Sequence, residues 1–303
     1  MTIAILGECM LEFSRQDTGD YRLSFGGDTL NTALYLARNG GACDYFTAVG
    51  DDPFSLNMIN DWESEGIGVN HVKIKKNQTS GLYIIQNDNS GERTFHYWRS
   101  ASPARSYLSD FPIVLDELKK YPMIFLTGIT LAIYSEQVRK TLFAFLTRYR
   151  KLGGIVIFDN NFRANNWESK SVAKQVYKKM MNLTDVALLS FDDEIQMHGE
   201  HSIEKCLAQW LSAGVREVII KRGSKDCLGY KDGDTTFVPT DLVDHPIDTT
   251  AAGDAFNGAY LAAKQAGQSL VEGIKNANYC SSVVIMNKGA IIDENINIRR
   301  CKS

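Results

Sequence analysis

Short apolar runs alternate with segments of helical spacing through the second half of the chain. Apolar runs predict strands at residues 123–127, 155–159, 186–190 and 218–222. Apolar positions three or four residues apart predict intervening helices at residues 135–151, 169–182 and 202–213. Short strands near 227–231 and 235–239 and helices at 253–266 and 269–286 complete this half. Repeated strand–helix units predict a mostly parallel sheet with helices on both faces.

The first part of the chain extends this pattern. Residues 2–6 and 43–49 are apolar runs typical of buried strands. Residues 30–37 carry apolar side chains on one helical face and end at a pair of glycines, and a second helix is predicted at residues 54–65. Ligands in such sheets bind at the carboxyl ends of the strands, so polar residues there are candidates for function.

Two pairs of strand-like runs have no helix between their members. Residues 10–15 and 21–25 flank a turn at residues 18–20, and residues 81–86 and 92–98 flank the turn-forming composition of residues 87–91. We expect two hairpins that form a small sheet outside the main one. The sequence therefore predicts one α/β domain spanning residues 1–303, with lid strands drawn from about residues 10–25 and 81–99.

Composition narrows the functional classes. The 303 residues are 44% hydrophobic and 23% charged, and the net charge of −3 gives no overall basic field for nucleic acid or an anionic membrane. The apolar start of the chain lacks a basic segment, and no apolar run approaches the ~20 residues that span a bilayer. A cytoplasmic protein is expected, with scattered cysteines as reduced packing residues: Cys9, Cys43, Cys206, Cys227, Cys280 and Cys301.

Several common catalytic motifs are absent from the sequence. No P-loop, no dinucleotide-binding glycine motif and no nucleophile elbow occurs. His198 and His201 are close together, but their spacing does not match that of a zincin helix. We therefore expect no zincin-type metal role for this pair.

The stretch 248–256 places small residues between two carboxylates, directly before a helical pattern. A helix that begins with Ala252 and Gly253 leaves its first N–H groups accessible to an anion. Asp254 would lie in the first turn beside that anion, where a carboxylate can take a proton from an attacking hydroxyl. The alternative is an ordinary helix start capped by Asp248 or Thr250.

Three further polar clusters follow predicted strands. Residues 26–31 contain a glycine pair with Asp28 and Asn31, which suits sugar hydroxyls, although a glycine turn with Asp28 as N-cap is the alternative. Residues 159–163 are a polar string that could equally be a solvated loop. Residues 221–226 could contact phosphates or could form a charged turn.

Together these elements resemble the ribokinase-like (PfkB) sugar kinase family over essentially the whole chain. The shared features are the Gly-Gly-Asp-x-x-Asn element, residues 49–54, the Asp-x-Asn-x-Arg string at 159–163 and the Asp-Thr-x-x-Ala-Gly-Asp signature. The resemblance implies a ribokinase-like three-layer sandwich with a β-sheet lid, which phosphorylates a sugar hydroxyl with ATP and Mg²⁺. It assigns the catalytic base to Asp254, and the anion hole to Ala251, Ala252 and Gly253. It assigns sugar binding to Gly27, Asp28 and Asn31, and nucleotide binding to Lys221, Gly223, Ser224, Asp226 and Asn278.

The segment 93–104 looks like the lid strand of the 2-keto-3-deoxygluconate kinases. In that subfamily an arginine at this place holds the substrate carboxylate, so the resemblance assigns Arg99, with Arg163, Tyr83 and Tyr97, to an acid sugar. The alternative is that strand alternation places Arg99 in solvent. Rival functions are a kinase for another sugar, such as fructose, and a sugar-sensing relative without turnover.

Two departures from the family pattern concern the anion hole and the metal. Ala251 occupies a position that is often glycine. The family's Asn-x-x-Glu motif corresponds to residues 191–194, where Phe191 replaces the asparagine, and Glu194 is expected to organise Mg²⁺ through water. Expected partners are the acid sugar and ATP, without nucleic acid or membrane, and a homo-oligomer that packs through the lid is possible.

Overall fold

The central feature of the fold is a large sheet whose strands come from the whole length of the chain. The structure is a computed structural model that describes residues 1–16, 18–87 and 93–300. The strands of this sheet and of a second, smaller sheet are, in chain order, β1 (Ile3–Leu6), β2 (Met10–Arg15), β3 (Tyr21–Gly26), β4 (Cys43–Gly50), β5 (Val72–Lys75), β6 (Leu82–Asn87), β7 (Arg93–Trp98), β8 (Met123–Thr127), β9 (Ile155–Asp159), β10 (Val186–Ser190), β11 (Glu217–Arg222), β12 (Lys225–Lys231) and β13 (Asp234–Val238).

The large sheet has the order β13-β12-β11-β10-β9-β8-β1-β4-β5. From β11 to β5 neighbouring strands are parallel, and the β11–β12 and β12–β13 pairs at one edge are antiparallel. The parallel strands therefore bring their carboxyl ends to one side of the sheet, as the sequence pattern predicts.

Helices cover both faces of the large sheet. They are α1 (Asp28–Arg38), α2 (Pro53–Ser64), α3 (Tyr107–Asp110), α4 (Val114–Leu118), α5 (Gly128–Ile133), α6 (Glu136–Lys151), α7 (Lys170–Met181), α8 (Phe191–His198), α9 (Ile203–Ser212), α10 (Ala252–Gln265) and α11 (Leu270–Val284). Strand alternation divides the core into two layers: Ala4 and Leu6 of β1 pack with residues of α6 and α7, whereas Ile3 and Ile5 pack with α1, α10 and α11. The predicted α/β sandwich with helices on both faces is confirmed.

Serine caps define where several helices begin. Ser202 accepts a hydrogen bond from the Lys205 amide at 3.2 Å, and Ser269 does the same for Glu272 at 3.3 Å. Gly214 and Gly267 follow α9 and α10 with φ of 93° and 71°, values that favour glycine after a helix. These local signals explain why the long helices agree with the sequence pattern to within a few residues.

A second, four-stranded sheet stands apart from the large one, in the order β3-β2-β6-β7. β2 and β6 pair in parallel and the outer pairs are antiparallel. The predicted small sheet is therefore confirmed. The turn predicted at residues 87–91 lies, from position 88 onward, outside the described residues. The one-domain organisation of residues 1–303 stays a prediction.

The sequence pattern missed short elements. The helices α3, α4, α5 and α8 and the edge strand β5 were not predicted. Each has at most eight residues, so the helices have too few turns for a 3.6-residue period to be recognised, and the four-residue strand is too short to show a clear alternation. The omission of α8 matters because this helix points the side chains of Asp193 and Glu194 in different directions, which the sequence pattern did not predict.

Cysteine positions agree with the predicted reduced state. Cys9, Cys43, Cys206, Cys227 and Cys280 are buried free thiols, and Cys301 lies outside the described residues. Within the described part of the chain, no helix combines the length and apolar character that crossing a bilayer requires.

Candidate active site

Polar side chains converge at the carboxyl edge of the large sheet. Thr127 ends β8 and Asp159 ends β9, and these two residues are direct partners in the strand register. Lys221 lies near the end of β11, and its ammonium is 3.2 Å from the Asp159 carboxylate. The sheet therefore brings together a carboxylate (Asp159), an ammonium (Lys221) and a hydroxyl (Thr127) from separate strands, at the edge where α/β sheets bind ligands.

Asp28 begins α1 and is fixed by two of these strand ends. Its Oδ2 accepts hydrogen bonds from the Thr127 hydroxyl at 2.5 Å and the Asn161 amide at 2.8 Å. A side chain on Gly27 would overlap the carbonyl oxygen of Glu8, so only glycine lets α1 begin this close to the end of β1. The solvated-loop interpretation of residues 159–163 is wrong for its first four residues, because Asp159, Asn160, Asn161 and Phe162 are buried.

Asn31, one turn into α1, contacts the proposed base. Its amide donates a 2.9 Å hydrogen bond to Oδ2 of Asp254, in the first turn of α10. A Cβ on Gly258 would lie 2.7 Å from backbone atoms of α1, so the missing side chain allows α1 and α10 to pack this closely. The helix contact thus places the carboxylate beside the polar edge.

The start of α10 has no side-chain cap. Ala251 occupies the N-cap position in the left-handed region, with φ of 60°, and makes no side-chain hydrogen bond to the helix. Asp248 instead accepts hydrogen bonds from the Thr250 and Gly289 amides, so the capping alternative does not hold for α10 itself. The first-turn N–H groups of α10 consequently face the site, which suits an anion.

Lys221 lies beside this helix start. A Cβ on Gly253 would meet only the Lys221 ammonium, at 3.6 Å, so the space above the first turn is open and next to a positive charge. Lys221 also donates to Asn257 Oδ1 at 2.9 Å, and Asn257 donates to Asp159 Oδ2 at 2.5 Å. This network holds the ammonium at the place where a phosphate would approach.

Burial and crowded negative charge raise the pKa of Asp254. Burial is the largest cause, followed by the charge of Asp28, and together they raise the pKa from 3.8 to about 7 despite the opposing hydrogen bond from Asn31. Burial also raises the pKa of Asp28, which the Thr127 hydroxyl opposes. A carboxylate with a pKa near neutrality is well matched to accepting a proton.

The two sheets enclose a cavity of about 570 Å³ beside these residues. Gly27, Asp28, Asn31 and Arg163 line it from the main body, and the small sheet contributes Tyr83, Phe95, Tyr97 and Arg99. The last three side chains share one face because they are two residues apart along the chain. The cavity thus brings together every residue that the resemblance assigned to the sugar.

Arg99 is turned into the cavity. Its side chain is 12% exposed and forms an ion pair with Glu8, whose carboxylate is buried. The guanidinium also lies 5.8 Å from the Tyr97 ring centroid. The alternative that placed Arg99 in solvent is wrong.

The other lid residues occupy distinct positions. Tyr83 is buried and donates a hydrogen bond to Glu12, whereas Tyr97 is 50% exposed at the cavity wall. Arg163 lies across the cavity, with a 54% exposed side chain that pairs with Asp193 at 3.2 Å. Arg163 can therefore reach a ligand, with Asp193 behind it.

The residues assigned to the nucleotide lie at separate places. Gly223, Ser224 and Asp226 are exposed in and beside the tight β11–β12 turn, at the carboxyl end of β11. Asn278 is buried and donates a hydrogen bond to the Pro239 carbonyl at 2.8 Å. Their contact with a nucleotide stays a prediction, and the structure gives Asn278 a role in fixing the segment after β13.

Glu194 does not fit its predicted place near the metal. Its carboxylate is 2% exposed, accepts a hydrogen bond from Asn160 at 3.0 Å and lies among α9 residues rather than in the cavity. The neighbouring Asp193 faces the site instead, because consecutive helical residues point about 100° apart. The unpredicted helix α8 is the physical reason for this difference.

Three residues of the site escaped the sequence reasoning. Glu8, Asn257 and Asp193 make the contacts described above. Asn257 carried a usable signal, since it lies four residues after Gly253 on the same helical face. Glu8 lies two residues after the end of β1, where a ligand-binding residue is expected in an α/β sheet.

Comparison with known proteins identifies the family. Residues 2–297 match the description pfkB family carbohydrate kinase. The chain belongs to this family. The predicted family is thereby confirmed, and the chain is a sugar kinase by family.

Individual relatives agree with this family membership. The 2-dehydro-3-deoxygluconokinase of Escherichia coli (strain K12) is 40% identical over 302 residues, which is 96% of either chain. The enzyme of the same name from Dickeya dadantii (strain 3937) is 42% identical with the same coverage. A fructokinase from Klebsiella pneumoniae is 26% identical over 95% of this chain and 94% of its own.

Solved structures of two other kinases share the fold. Fructokinase from Vibrio cholerae O395, in a fructose, ADP and calcium ion bound form, has a TM-score of 0.82 at 25% identity and covers 95% of this chain and 94% of that chain. Aminoimidazole riboside kinase from Salmonella enterica has a TM-score of 0.81 at 22% identity, with 95% and 94% coverage. The predicted ribokinase-like sandwich is confirmed.

Proposed function

We propose that this pfkB family kinase transfers the γ-phosphoryl group of ATP to the primary hydroxyl of 2-keto-3-deoxygluconate, also called 2-dehydro-3-deoxygluconate, giving the 6-phosphate. The observation that carries the acid-sugar assignment is Arg99, a cation turned into the cavity from the small sheet. Relatives of 40–42% identity bear the name of that activity, whereas the fructokinase relative of Klebsiella pneumoniae is 26% identical.

The acid end of the sugar would lie against two arginines. Arg99 and Arg163 both line the cavity, and each is already paired with a carboxylate, Glu8 and Asp193 respectively. A planar guanidinium has donors to spare beyond one such pair and binds a carboxylate through two parallel hydrogen bonds. The sugar hydroxyls would meet Asp28 and Asn31 at the opposite wall.

Asp254 acts as the base in the proposed reaction. Its carboxylate takes the proton of the attacking hydroxyl while that oxygen forms a bond to the γ-phosphorus, and the bond from phosphorus to the bridging oxygen of ATP breaks to release ADP. The amides of Ala251, Ala252 and Gly253, with the Lys221 ammonium, stabilise the charge on the transferring group.

ATP supplies the phosphoryl group, and Mg²⁺ neutralises phosphate charge. The open, positive start of α10 fits the phosphates, as the space at Gly253 indicates. For the nucleotide we retain Gly223, Ser224, Asp226 and Asn278. For the metal we propose Asp193, whose carboxylate is close enough to Asp159 and Lys221 for their charges to act on it.

A substrate panel tests the proposed function. Purified protein with Mg²⁺ and ATP is assayed with 2-keto-3-deoxygluconate, fructose and gluconate, and the 6-phosphate is identified by NMR. We expect the largest kcat/KM for 2-keto-3-deoxygluconate. Equal or greater kcat/KM for the neutral ketose would refute the acid-sugar assignment while leaving the kinase assignment intact.

The outer face of the small sheet is the proposed contact between two copies of the chain. Tyr21, Leu23 and Trp98 expose 53%, 39% and 58% of their surface, and strand register places them opposite the cavity-facing side chains. Sedimentation equilibrium of wild type and Trp98→Glu tests this dimer, with a monomeric wild type as the contrary result. We also propose a cytoplasmic location, which the free cysteines support.

A further inference from the structure

A buried cluster between α8 and α9 takes no part in the proposed phosphoryl transfer. Its members are Glu194, His201 and Cys206, whose carboxylate, ring nitrogen and sulfur lie within 4.8 Å of one another. Glu194 is 2% exposed and Cys206 is fully buried. Three side chains of metal-ligating type from two helices and their connecting segment therefore meet in one enclosed place.

The hydrogen bond of His201 fixes which nitrogen faces the cluster. Nδ1 is 2.7 Å from the carbonyl oxygen of Gly199, and because a carbonyl only accepts, Nδ1 carries the proton. Nε2 is left with a lone pair, is buried and has no hydrogen-bond partner among the described residues. Histidine ligands in metal sites are held in this way, with the other N–H donated to a carbonyl or carboxylate.

Glu194 presents a second buried lone pair. Its Oε1 accepts a hydrogen bond from Asn160, whereas Oε2 has no donor at hydrogen-bond distance in the described part of the chain, with the Trp210 indole and the Cys206 thiol as its neighbours. His198 is near, with its Nε2 at 3.8 Å from this oxygen. The donors that face this carboxylate are the Trp210 indole N–H and the Cys206 thiol, and a cation that replaces the thiol proton would satisfy both buried acceptors, His201 Nε2 and Glu194 Oε2.

We propose that Glu194, His201 and Cys206 bind Zn²⁺, with a fourth position open toward His198. Cysteine, histidine and carboxylate ligands together suit zinc, whereas Mg²⁺ prefers oxygen alone, so this site is separate from the metal of ATP. One thiolate and one carboxylate balance the double charge of the ion. Zinc bonds of about 2.0–2.3 Å in a tetrahedron place ligand atoms roughly 3.3–3.8 Å apart, so the side chains need contract by only about 1 Å.

The bound ion would hold the segment between α8 and α9. His201 lies in that segment, directly before the Ser202 cap of α9, and Glu194 accepts a hydrogen bond from Asn160, the residue after Asp159. Zinc at this place would stabilise the helices behind the cavity without contacting substrate. The proposed zinc site is independent of which sugar the kinase uses.

Cobalt titration tests the site directly on the untagged wild-type protein. The chain is freed of metal with a chelator and titrated with Co²⁺ in the absence of ATP. We expect one Co²⁺ per chain, a thiolate-to-cobalt charge-transfer band and tetrahedral ligand-field bands, all displaced by Zn²⁺. X-ray absorption of the zinc form is expected to show one sulfur at ~2.3 Å. Absence of the charge-transfer band, or a zinc shell without sulfur, would overturn the proposal.

Variants identify the ligands. We expect Cys206→Ser to abolish the band and His201→Gln to weaken Zn²⁺ binding by more than ~100-fold, since second-shell partners alone are worth 10–100-fold. Cys43→Ser, another buried thiol, is the matched control and is expected to keep the band. At a free Zn²⁺ concentration about 100 times its Kd, the Tm of the wild-type protein is expected to rise by roughly 5 °C. A band that survives in Cys206→Ser, or a Tm that Zn²⁺ leaves unchanged in wild type, contradicts the assignment.

Discussion

Asn31 and Asp254 are 223 residues apart in the sequence, and their side chains form a 2.9 Å hydrogen bond. The amide of Asn31 favours the ionised form of Asp254, whereas burial and the charge of Asp28 favour the protonated form. The base is therefore poised by opposing influences from α1. Its protonation state is a property of the packed helices rather than of the α10 sequence.

The pH dependence of the reaction should report this balance. With the pKa of Asp254 raised to about 7, kcat/KM should fall about tenfold per pH unit below that value, because the protonated carboxyl cannot accept the hydroxyl proton. Asn31→Ala removes the influence that lowers the pKa, so its acidic limb should move to higher pH. Asp28→Asn should move it to lower pH, and a common direction for both variants would contradict this account.

Asp254→Asn should lower activity and raise stability. The expected loss in kcat is 10²–10⁴-fold, typical for removal of a general base. The folded-state pKa of Asp254 is raised, so between about pH 4 and 7 the folded chain binds more protons and its unfolding free energy falls as pH rises. The variant should therefore exceed wild type by ~1–3 kcal/mol at pH 8, with a smaller gain at pH 5.

Differential scanning calorimetry at the two pH values measures this difference. Asp248→Asn is the matched control, because its carboxylate accepts hydrogen bonds from two backbone amides and its replacement should destabilise the protein at pH 8. A variant Asp254→Asn that is less stable than wild type at pH 8 would show that the carboxylate is not under electrostatic strain.

Arg99→Ala should separate the acid sugar from neutral sugars. Loss of a charge-assisted contact should raise KM for 2-keto-3-deoxygluconate about 10–100-fold and leave KM for ATP within about threefold. Arg99→Lys keeps the charge opposite Glu8 but loses the planar fork, so an intermediate effect is expected. Arg22→Ala, which removes an exposed arginine of the same small sheet, is the control. Steady-state kinetics are measured on all three variants. An unchanged KM for 2-keto-3-deoxygluconate in Arg99→Ala would show that Arg99 does not contact the sugar.

Gly258→Ala should disturb the base through packing alone. The added methyl would lie 2.7 Å from the backbone of α1 at Thr32 and Leu36, so the helices must separate, at a cost of roughly 1–3 kcal/mol. Lengthening of the Asn31–Asp254 contact should lower kcat. Gly273→Ala on α11 would meet side chains rather than backbone, the Tyr260 ring at 3.1 Å and the Ala263 Cβ at 3.7 Å, and should have the smaller effect on thermal unfolding and turnover.

The Mg²⁺ dependence should distinguish two neighbouring carboxylates. Asp193→Asn is expected to raise the Mg²⁺ concentration for half-maximal rate several-fold, because a carboxylate of the proposed metal site is lost. Asp192→Asn, an exposed acid in the same turn, is the control and should change it little. If Glu194→Gln had the larger effect, the sequence-based assignment would be correct and the position of Asp193 irrelevant to the metal.

The pattern of apolar residues determined the layers, the strand–helix alternation, the small sheet and most long helices, because alternation and helical spacing are local properties of the chain. Motif resemblance also determined the family and the positions of Asp28, Asn31, Arg99 and Asp254 as candidates. Short elements such as α8 could not be predicted, since fewer than three turns give no clear period.

Tertiary structure decided which of these groups meet and in what state. It pairs Arg99 with Glu8, leaves the start of α10 without a side-chain cap and raises the pKa of Asp254. It also gives Asp193 and Glu194 different partners, Arg163 and Asn160. Each of these features depends on burial, on an unpredicted helix, or on a contact with a residue more than 30 positions away. The hydrogen bond between Asn31 and Asp254, for example, joins residues 223 positions apart. Sequence spacing carries no information about dielectric surroundings or long-range contacts, so the chemistry of the carboxylates is fixed only when the helices pack.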